Sequence, residues 1–258
     1  MIDLEHLLRS VGFRSSSDTL RAFLAHAQKS KLSLTQSIEQ LVELETRERD
    51  ARNLAARTRA ATLGTFKTLD QFDWNHPRKI DRPQYERLHS SLSFITNSEN
   101  ILFRGPSGIG KTMLTQNLGL QALSQGYTVR FATLATVLSD LMKQESIPAL
   151  ERRLKRYLQP QLLVLDELGY VPSDARSADL FFRIISERHE HRSVIITTNL
   201  SFKQWATVFP DASCLGALID RFAQHCHVFD IDADSWRDKH ALRRSNPTTK
   251  PKSRPSNK

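Results

Sequence analysis

One eight-residue segment constrains the fold of this chain more than any other feature of its sequence. Residues 105–112 read GPSGIGKT, which fits the pattern G-x-x-x-x-G-K-[S/T] of a phosphate-binding loop. The apolar segment 100–104 (NILFR) predicts a β-strand before it, and the segment 111–124 (KTMLTQNLGLQALS) predicts a helix after it. A strand, a glycine-rich loop and a helix in this order bind an anion, because loop N–H groups and the helix N-terminus face it. The segment therefore predicts a nucleotide site in an α/β domain.

The residues of this loop divide into those that shape the backbone and those that touch phosphate or metal. The three glycines allow tight turns. Lys111 is expected to reach the β- and γ-phosphates of ATP, and the hydroxyl of Thr112 to bind Mg²⁺. The predicted nucleotide-binding residues of the loop are Gly105, Pro106, Ser107, Gly108, Ile109, Gly110, Lys111 and Thr112.

Two adjacent acids follow a second apolar segment, which reads LLVLDE. Ligands of parallel sheets bind at the carboxyl ends of strands, where Asp166 and Glu167 would lie. We expect Asp166 to hold Mg²⁺ beside the nucleotide and Glu167 to polarise an attacking water. A carboxylate that can act as a base for water favours ATP hydrolysis. The alternatives are a P-loop kinase that transfers the phosphoryl group to a small metabolite, and a nucleotide-binding scaffold without enzymatic activity.

Two more polar residues have a functional and a structural interpretation. Asn199 ends the apolar run VIITTN, where it either orients the attacking water or caps the following turn; Thr197 and Thr198 are expected to be structural. Arg221, within IDRF, is either an arginine finger on the γ-phosphate of a neighbouring copy or a local ion-pair partner of Asp220.

The alternation of apolar segments with amphipathic ones predicts a parallel five-stranded sheet between helices. We expect a helix over residues 83–96. The predicted strands are 101–103, 128–132, 162–165, 194–197 and 227–229. The predicted domains are a helical N-terminal domain (1–62), a linker packing on the core (63–82), an ATPase core (83–240) and a basic disordered tail (241–258).

The charge of the chain is concentrated at its C-terminal end. The net charge is +9, and residues 241–258 carry six Lys and Arg and no acid. Such a tail either raises affinity for a polyanion or serves solubility. The sequence has no apolar run of about 18 residues, lacks a signal-peptide pattern at its start and has two cysteines, so we expect a cytoplasmic protein without a membrane partner.

The order GPSGIGKT, LLVLDE, TTN, DRF resembles that of the AAA+ ATPases, and more closely the IstB-like transposition helper proteins of the DnaA and DnaC clade. The resemblance covers about residues 65–240 and includes TLDQFDW, ENILFRGPSGIGKT, QPQLLVLDELGY and IDRF. It implies an α/β AAA+ core after a small helical domain and without a full C-terminal lid. In this family Lys111 and Thr112 match the Walker A positions, Asp166 and Glu167 match Walker B, Asn199 matches sensor 1, and Arg221 matches the finger. Arg237 lies near a further family arginine, without an assigned role.

The resemblance also implies partners. The region 135–160 matches an insertion that faces nucleic acid, and here it contains Arg152, Arg153, Lys155 and Arg156 as expected phosphate contacts; a solvated basic helix face is the alternative. We therefore expect ATP-dependent self-association into a ring or helical filament on double-stranded DNA, with a transposase of the same element as partner. A DnaC-type helicase loader is the alternative function, because both share the ATPase core.

Overall fold

The computed structural model describes residues 4–169, 175–210 and 212–234. The chain divides between Ala60 and Ala61 into two compact units, two residues before the boundary suggested by the sequence. The expectations about Arg237, the core segment 235–240, the tail 241–258 and the missing lid fall outside the described residues. Within the described ranges, no helix is long and apolar enough to cross a membrane.

The first unit is helical, as predicted. The sequence predicts Ser17 or Asp18 as the N-cap of the second helix, α2. The observed cap is Ser16, whose hydroxyl accepts the N–H of Thr19 at 3.1 Å, so that prediction was wrong. The sequence also predicts that Ser33 starts a helix, and α3 does begin directly after Ser33, with Ser33 and Gln36 bonding reciprocally. The helices are α1 (Leu4–Ser10), α2 (Ser17–Lys29) and α3 (Leu34–Ala61).

One acid of α3 is buried although its surrounding sequence is polar. The carboxylate of Glu45 accepts the backbone N–H groups of Arg14 and Ser15 and the Ser15 hydroxyl, and it pairs with Arg52 at 2.8 Å. Burial alone would raise the pKa of Glu45, but these hydrogen bonds outweigh it and lower the pKa to about 2. A charged Glu45 therefore holds the turn before α2 against α3.

The second unit contains a parallel sheet, which confirms the predicted class. Its strands lie in the order β2-β3-β4-β1-β5, and each pairs in parallel with its neighbours. The strands are β1 (Asn100–Arg104), β2 (Val129–Thr133), β3 (Leu162–Leu168), β4 (Ser193–Thr198) and β5 (Cys226–Asp230).

Helices cover both faces of this sheet. Because side chains alternate along a strand, Ile101 and Phe103 enter the core on one face, while Leu102 enters the core on the other. The α-helices are α4 (Arg82–Ser91), α5 (Ser93–Thr96), α6 (Lys111–Ser124), α7 (Leu134–Met142), α8 (Ile147–Leu158), α9 (Ala175–Arg188), α10 (Trp205–Val208) and α11 (Leu215–Ala223). Short 3₁₀ helices span Leu69–Gln71 and Phe202–Gln204.

The single helix predicted over 83–96 is two helices. Leu92 adopts a left-handed conformation with φ of +50°, which ends α4 and precedes α5. A non-glycine residue in this conformation is strained, but the side chain of Leu92 is buried in the core. Apolar periodicity continues through the break, so the pattern gave no signal of it.

Residues 63–82, predicted as a linker, belong to the second unit and form part of its core. Leu63 and Phe72 are buried in the core cluster on the α6 side of the sheet. Two polar side chains of α6 hold this segment: Gln116 Nε2 donates to Leu63 O at 2.7 Å, and Asn117 Nδ2 donates to Lys67 O at 3.0 Å.

The end of the same segment is joined to the chain that follows β5. Lys79 and Asp232 form an antiparallel bridge, and Arg78 pairs with Asp232 and Asp234 at 3.0 Å each. Residues 63–82 are therefore fixed at both ends against the sheet unit.

Candidate nucleotide-binding site

A cleft of about 640 Å³ lies at the carboxyl ends of β3 and β4 and the N-terminus of α6. Its volume lies within the range of small-molecule sites in proteins. It is lined by Thr65, Phe66, Lys67, Gln71, Phe72, Asp73, His76, Ser107, Gly108, Ile109, Gly110, Lys111, Thr112, Met113, Gln116, Glu167, Leu168, Thr197, Thr198 and Asn199.

The phosphate loop forms the turn that its sequence predicts. Its glycines, Gly105, Gly108 and Gly110, have φ of +153°, +80° and +95°. Lys111 opens α6, and its Nζ donates to the carbonyl oxygens of Gly105 (2.7 Å) and Pro106 (2.6 Å). The loop therefore places an ammonium group and a helix N-terminus beside the cleft, as an anion requires.

Phe72 closes one side of this loop. A β-carbon built on Gly110 would lie 2.7 Å from Phe72 Cε2, so the ring packs directly on the glycine backbone. Any side chain at position 110 would also be strained, because φ there is +95°. Contact between the loop and residues 63–82 thus depends on a glycine at 110.

Thr112 and Asp166 are adjacent, as a metal site would require. The Thr112 hydroxyl lies 3.0 Å from Asp166 Oδ2 and 3.2 Å from Oδ1. Asp166 is only 4% exposed, and in the described part of the chain no basic side chain forms an ion pair with it. A buried carboxylate needs a cation nearby, and Mg²⁺ prefers oxygen ligands, so these residues fit Mg²⁺.

Glu167 has a different environment from Asp166. Its side chain is exposed and lines the cleft, and its backbone is left-handed, with φ of +61°. Its N–H donates to Thr197 Oγ1 at 2.9 Å, and the same Thr197 hydroxyl bonds to Asp166 Oδ1. The two acids therefore have the different environments expected of their two roles: the buried Asp166 suits a metal ligand, and the exposed Glu167 suits a base that accepts a proton from water.

Asn199 lies in the wall of the cleft. Capping of the turn after β4 falls to its neighbour, because Thr198 Oγ1 accepts the N–H of Leu200 at 3.0 Å. Thr198 also donates to Leu168 O, so this threonine has the structural role expected of it. The Asn199 side chain is thus placed beside the nucleotide cleft.

Arg221 lies outside the cleft, on α11. Its guanidinium stacks over the ring of Phe182 at 4.9 Å, and Nη1 donates to Ser186 Oγ at 2.9 Å. Both partners belong to α9, so Arg221 is oriented by a neighbouring helix and not by the adjacent Asp220. Its position does not bring it to the nucleotide site of its own chain.

The four basic residues of α8 divide into two kinds. Arg152, Lys155 and Arg156 are exposed. Arg153 instead forms a two-pronged ion pair with Asp140 of α7, with Nε to Oδ2 at 2.6 Å. Among the described residues, three of the four predicted DNA contacts form no such ion pair, whereas the fourth, Arg153, links α8 to α7.

Asp140 of α7 accepts hydrogen bonds from two side chains of α8. It also accepts the hydroxyl of Tyr157, and burial together with this bond raises the pKa of Tyr157 to about 12. Burial would raise the pKa of Asp140, but its bonds to Arg153 and Tyr157 lower it. The basic face of α8 is thus attached to α7 through one charged acceptor.

The family model described as IstB-like ATP binding protein matches residues 7–244 of the chain. The chain belongs to this IstB-like family. It is 34% identical over 239 residues to the insertion sequence IS21 ATP-binding protein of Pseudomonas aeruginosa, covering 93% of this chain and 90% of the relative. It is 37% identical over 212 residues to the IS232 ATP-binding protein of Bacillus thuringiensis subsp. berliner, covering 81% and 84%.

The fold of this IstB-like chain is also that of AAA+ proteins with solved structures. AMPPCP-bound DnaA from Aquifex aeolicus matches with a TM-score of 0.55 at 19% identity, over 75% of this chain and 58% of that one. DnaI matches with a TM-score of 0.53 at 18% identity, over 65% and 89%. These likenesses concern the fold, and the family match makes the IstB-like chain an ATP-binding protein.

Some residues of the IstB-like site escape sequence reasoning. The cleft wall between Thr65 and His76 lies in the segment predicted only as a linker packing on the core, and Met113 and Gln116 lie in the helix predicted over residues 111–124 without a role in the site. The available signal for this cleft wall was a set of aromatic residues that follow neither helical nor strand periodicity, in a segment that contains Gly and Pro. Thr197, expected to be structural, contacts both acids, and nothing in its sequence context indicates that contact.

Proposed function

We propose that this IstB-like protein hydrolyses ATP and acts as a helper of DNA transposition, assembling on double-stranded DNA and presenting it to the transposase of the same element. The observation that carries the proposal is that Thr112, which is hydrogen-bonded to the buried Asp166, lines the same cleft as Glu167. The names of relatives that match nearly the whole chain, which refer to insertion sequences, supply the biological setting.

The chemistry follows from the placement of each group. Lys111 and the N-terminus of α6 bind the phosphates, while Thr112 and Asp166 would hold Mg²⁺, which when bound offsets phosphate charge. Glu167 accepts a proton as the water oxygen bonds to the γ-phosphorus and the bond to ADP breaks. Asn199 orients that water.

Arg221 suits a role at a junction between copies. It lies away from the cleft of its own chain, so a finger role requires the γ-phosphate of a neighbouring chain. Head-to-tail contacts of this heterologous kind form a ring or a helical filament. Hydrolysis would then loosen the junction by removing the group that Arg221 contacts.

The exposed basic residues of α8 suit a phosphate backbone. Arg152, Lys155 and Arg156 are exposed positive charges, which suit contacts to phosphates, and contacts of that kind give binding with little sequence preference. The helicase-loader alternative shares this ATPase core. The insertion-sequence names of the relatives favour transposition.

The test compares the parent protein with Lys111→Ala and Glu167→Gln by light scattering and by DNA gel shift, with and without ATP and Mg²⁺. We expect the parent to assemble on DNA with ATP, Lys111→Ala to lose assembly, and Glu167→Gln to assemble without dispersing. Equal DNA binding by all three without nucleotide would falsify the proposal. Capture of a transposase by the Glu167→Gln–DNA complex tests the final step, and capture of a replicative helicase instead would favour the loader.

A further inference from the structure

The pairing of β3 with β4 contains a bulge at the two acids. Leu165 pairs with Ile196, and the next pair is Leu168 with Thr198. Between these pairs β3 has two residues, Asp166 and Glu167, whereas β4 has only Thr197. An extra residue of this kind interrupts backbone hydrogen bonding and redirects side chains, and such bulges are frequent beside active sites.

The Thr197 side chain occupies the position where regular pairing fails. Its Oγ1 accepts the Glu167 N–H at 2.9 Å, which gives this N–H a side-chain partner within the bulge. The same hydroxyl donates its proton to Asp166 Oδ1. Thr197 is 1% exposed, so neither bond competes with bulk water.

Glu167 needs such a restraint. Its φ of +61° is a strained conformation for a residue with a β-carbon, and strain of this kind persists only where the surroundings enforce it. With this backbone the Glu167 side chain is exposed in the cleft while Asp166, one residue earlier, stays buried. The bulge therefore separates two adjacent acids into two environments, and the Thr197 hydroxyl contacts both.

We infer that Thr197 is a positioning residue for ATP hydrolysis, whose single hydroxyl fixes the orientation of the metal-binding Asp166 and the water-polarising Glu167 relative to each other. The inference rests on the proposed hydrolysis, to which it adds a residue. Loss of the hydroxyl frees the Glu167 backbone to leave its left-handed conformation. Nucleotide binding relies on the loop and on Lys111 and is therefore retained.

The second threonine of β4 makes the distinction sharper. Thr198 Oγ1 bonds to Leu168 O and to the Leu200 N–H, both backbone groups, and to neither acid. The two hydroxyls thus have different roles at the same bulge. Thr198 bonds only to backbone groups that follow the bulge, whereas Thr197 bonds to the two residues inside it.

The experiment measures kcat and KM for ATP in Thr197→Val, which keeps the shape of the side chain but lacks the hydroxyl, and in Thr197→Ser, which keeps the hydroxyl. We expect Thr197→Val to lose about tenfold or more in kcat, because a catalytic base acts only from the correct position. KM, and the Kd for a fluorescent ATP analogue, should stay within about threefold of the parent. Thr197→Ser should restore most of kcat.

Ser193→Ala is the matched control, because it removes another buried hydroxyl from the same strand. Ser193 Oγ donates to Phe94 O at 2.7 Å, at the opposite end of β4. We expect a loss of thermal stability in Ser193→Ala with kcat unchanged, so a fall in kcat that merely followed stability would appear in both variants. Should Thr197→Val fail to fold, Thr197→Ala supplies a second variant without the hydroxyl.

The outcomes separate this inference from the proposed function. A parent protein that hydrolyses no ATP, with or without DNA, overturns both. A parent that hydrolyses ATP together with a Thr197→Val variant of equal kcat overturns the role of Thr197 alone. Equal losses in Thr197→Val and Thr197→Ser, or a loss confined to KM, also overturn it.

Discussion

The backbone of Gly169 lies directly against the side-chain amide of Asn199. A β-carbon built on Gly169 would lie 2.8 Å from Asn199 Oδ1, and φ at Gly169 is +142°. Gly169→Ala should therefore displace the Asn199 amide and lower the rate of ATP hydrolysis by about tenfold to 100-fold, because small misplacements at a reacting centre are costly. Steady-state ATPase assays would measure this fall.

Gly126→Ala is the control for backbone strain. Gly126 also has a positive φ, of +93°, but a β-carbon there would meet no atom of the described residues within 4 Å. Both substitutions should lower stability by about 1 kcal/mol or more. Hydrolysis that falls equally in both variants would mean that strain, and not the contact with Asn199, is responsible.

A second prediction concerns the metal requirement. Thr112→Val removes the hydroxyl beside Asp166, so the Mg²⁺ concentration that gives half-maximal hydrolysis should rise by about tenfold or more, whereas Thr112→Ser should stay near the parent. Thr115→Val is the control, since the Thr115 hydroxyl bonds to the Thr112 carbonyl inside α6 and lies outside the cleft. An Mg²⁺ titration with unchanged midpoint in Thr112→Val would contradict the assignment.

A third prediction concerns Arg221. Lys111→Ala and Arg221→Ala should each lose ATP hydrolysis alone, but an equal mixture should regain activity, because the intact loop of an Arg221→Ala chain can bind ATP and meet the intact finger of a Lys111→Ala chain. ATPase activity of the mixture over a range of ratios measures this. Activity that stays at the level of the separate variants would place the action of Arg221 within its own chain.

A fourth prediction separates the basic residues of α8. Replacing Arg152, Lys155 and Arg156 together with Ala should weaken DNA binding and lower the slope of log affinity against log salt by up to about three, because each phosphate contact contributes about 0.9. Arg87→Ala, an exposed arginine on α4, should leave the slope unchanged. A slope unaffected by the triple substitution would show that DNA binds elsewhere.

Arg153→Ala should behave differently from this triple variant. It removes the ion pair with Asp140, which leaves a carboxylate of 17% side-chain exposure with only the Tyr157 hydroxyl from this cluster. We expect a lower unfolding temperature and a nearly unchanged salt slope. A thermal melt and a DNA titration on the same preparation would distinguish the two roles.

A fifth prediction follows from Glu45. Its pKa of about 2 lies below the ordinary 4.5, so its contribution to stability is complete above about pH 4.5 and is lost as the pH falls toward 2. Glu45→Gln should therefore speed hydrogen exchange of the Arg14 and Ser15 amides by about tenfold or more at pH 7, and the difference from the parent should shrink toward pH 2. Mass spectrometry of the peptide over residues 13–17 measures both. A difference independent of pH would exclude the charge of Glu45 as its cause.

The sheet could be predicted from the sequence because the signals for its strands are local. Each strand is a short apolar run, and the phosphate loop is fixed by glycine spacing, so the strand from Asn100 to Arg104 and the helix from Lys111 to Ser124 could be placed closely. The break at Leu92 could not, because its left-handed backbone depends on tertiary packing of a residue that favours helices.

The motifs of the site could be predicted from the sequence, but the contacts that position their side chains could not. Asp166 and Glu167 follow an apolar strand, which is a local signal, whereas the Thr197 contact depends on the register between β3 and β4. Likewise the pairing of Arg153 with Asp140 joins residues on two helices, and no spacing in a single helix indicates it. Register and helix docking are set by the whole core.

The packing of Phe72 on Gly110 decides how short a working fragment of this protein can be. A truncation that begins at residue 83 would retain every residue named here as a contact of phosphate, metal or water. It would nevertheless remove the Phe72 ring that covers the loop, and it would uncover Tyr85, whose ring lies 5.4 Å from that of Trp74. The smallest fragment able to hold nucleotide should therefore start near Ala61, some twenty residues before residue 83, where the sequence predicts that the ATPase core begins.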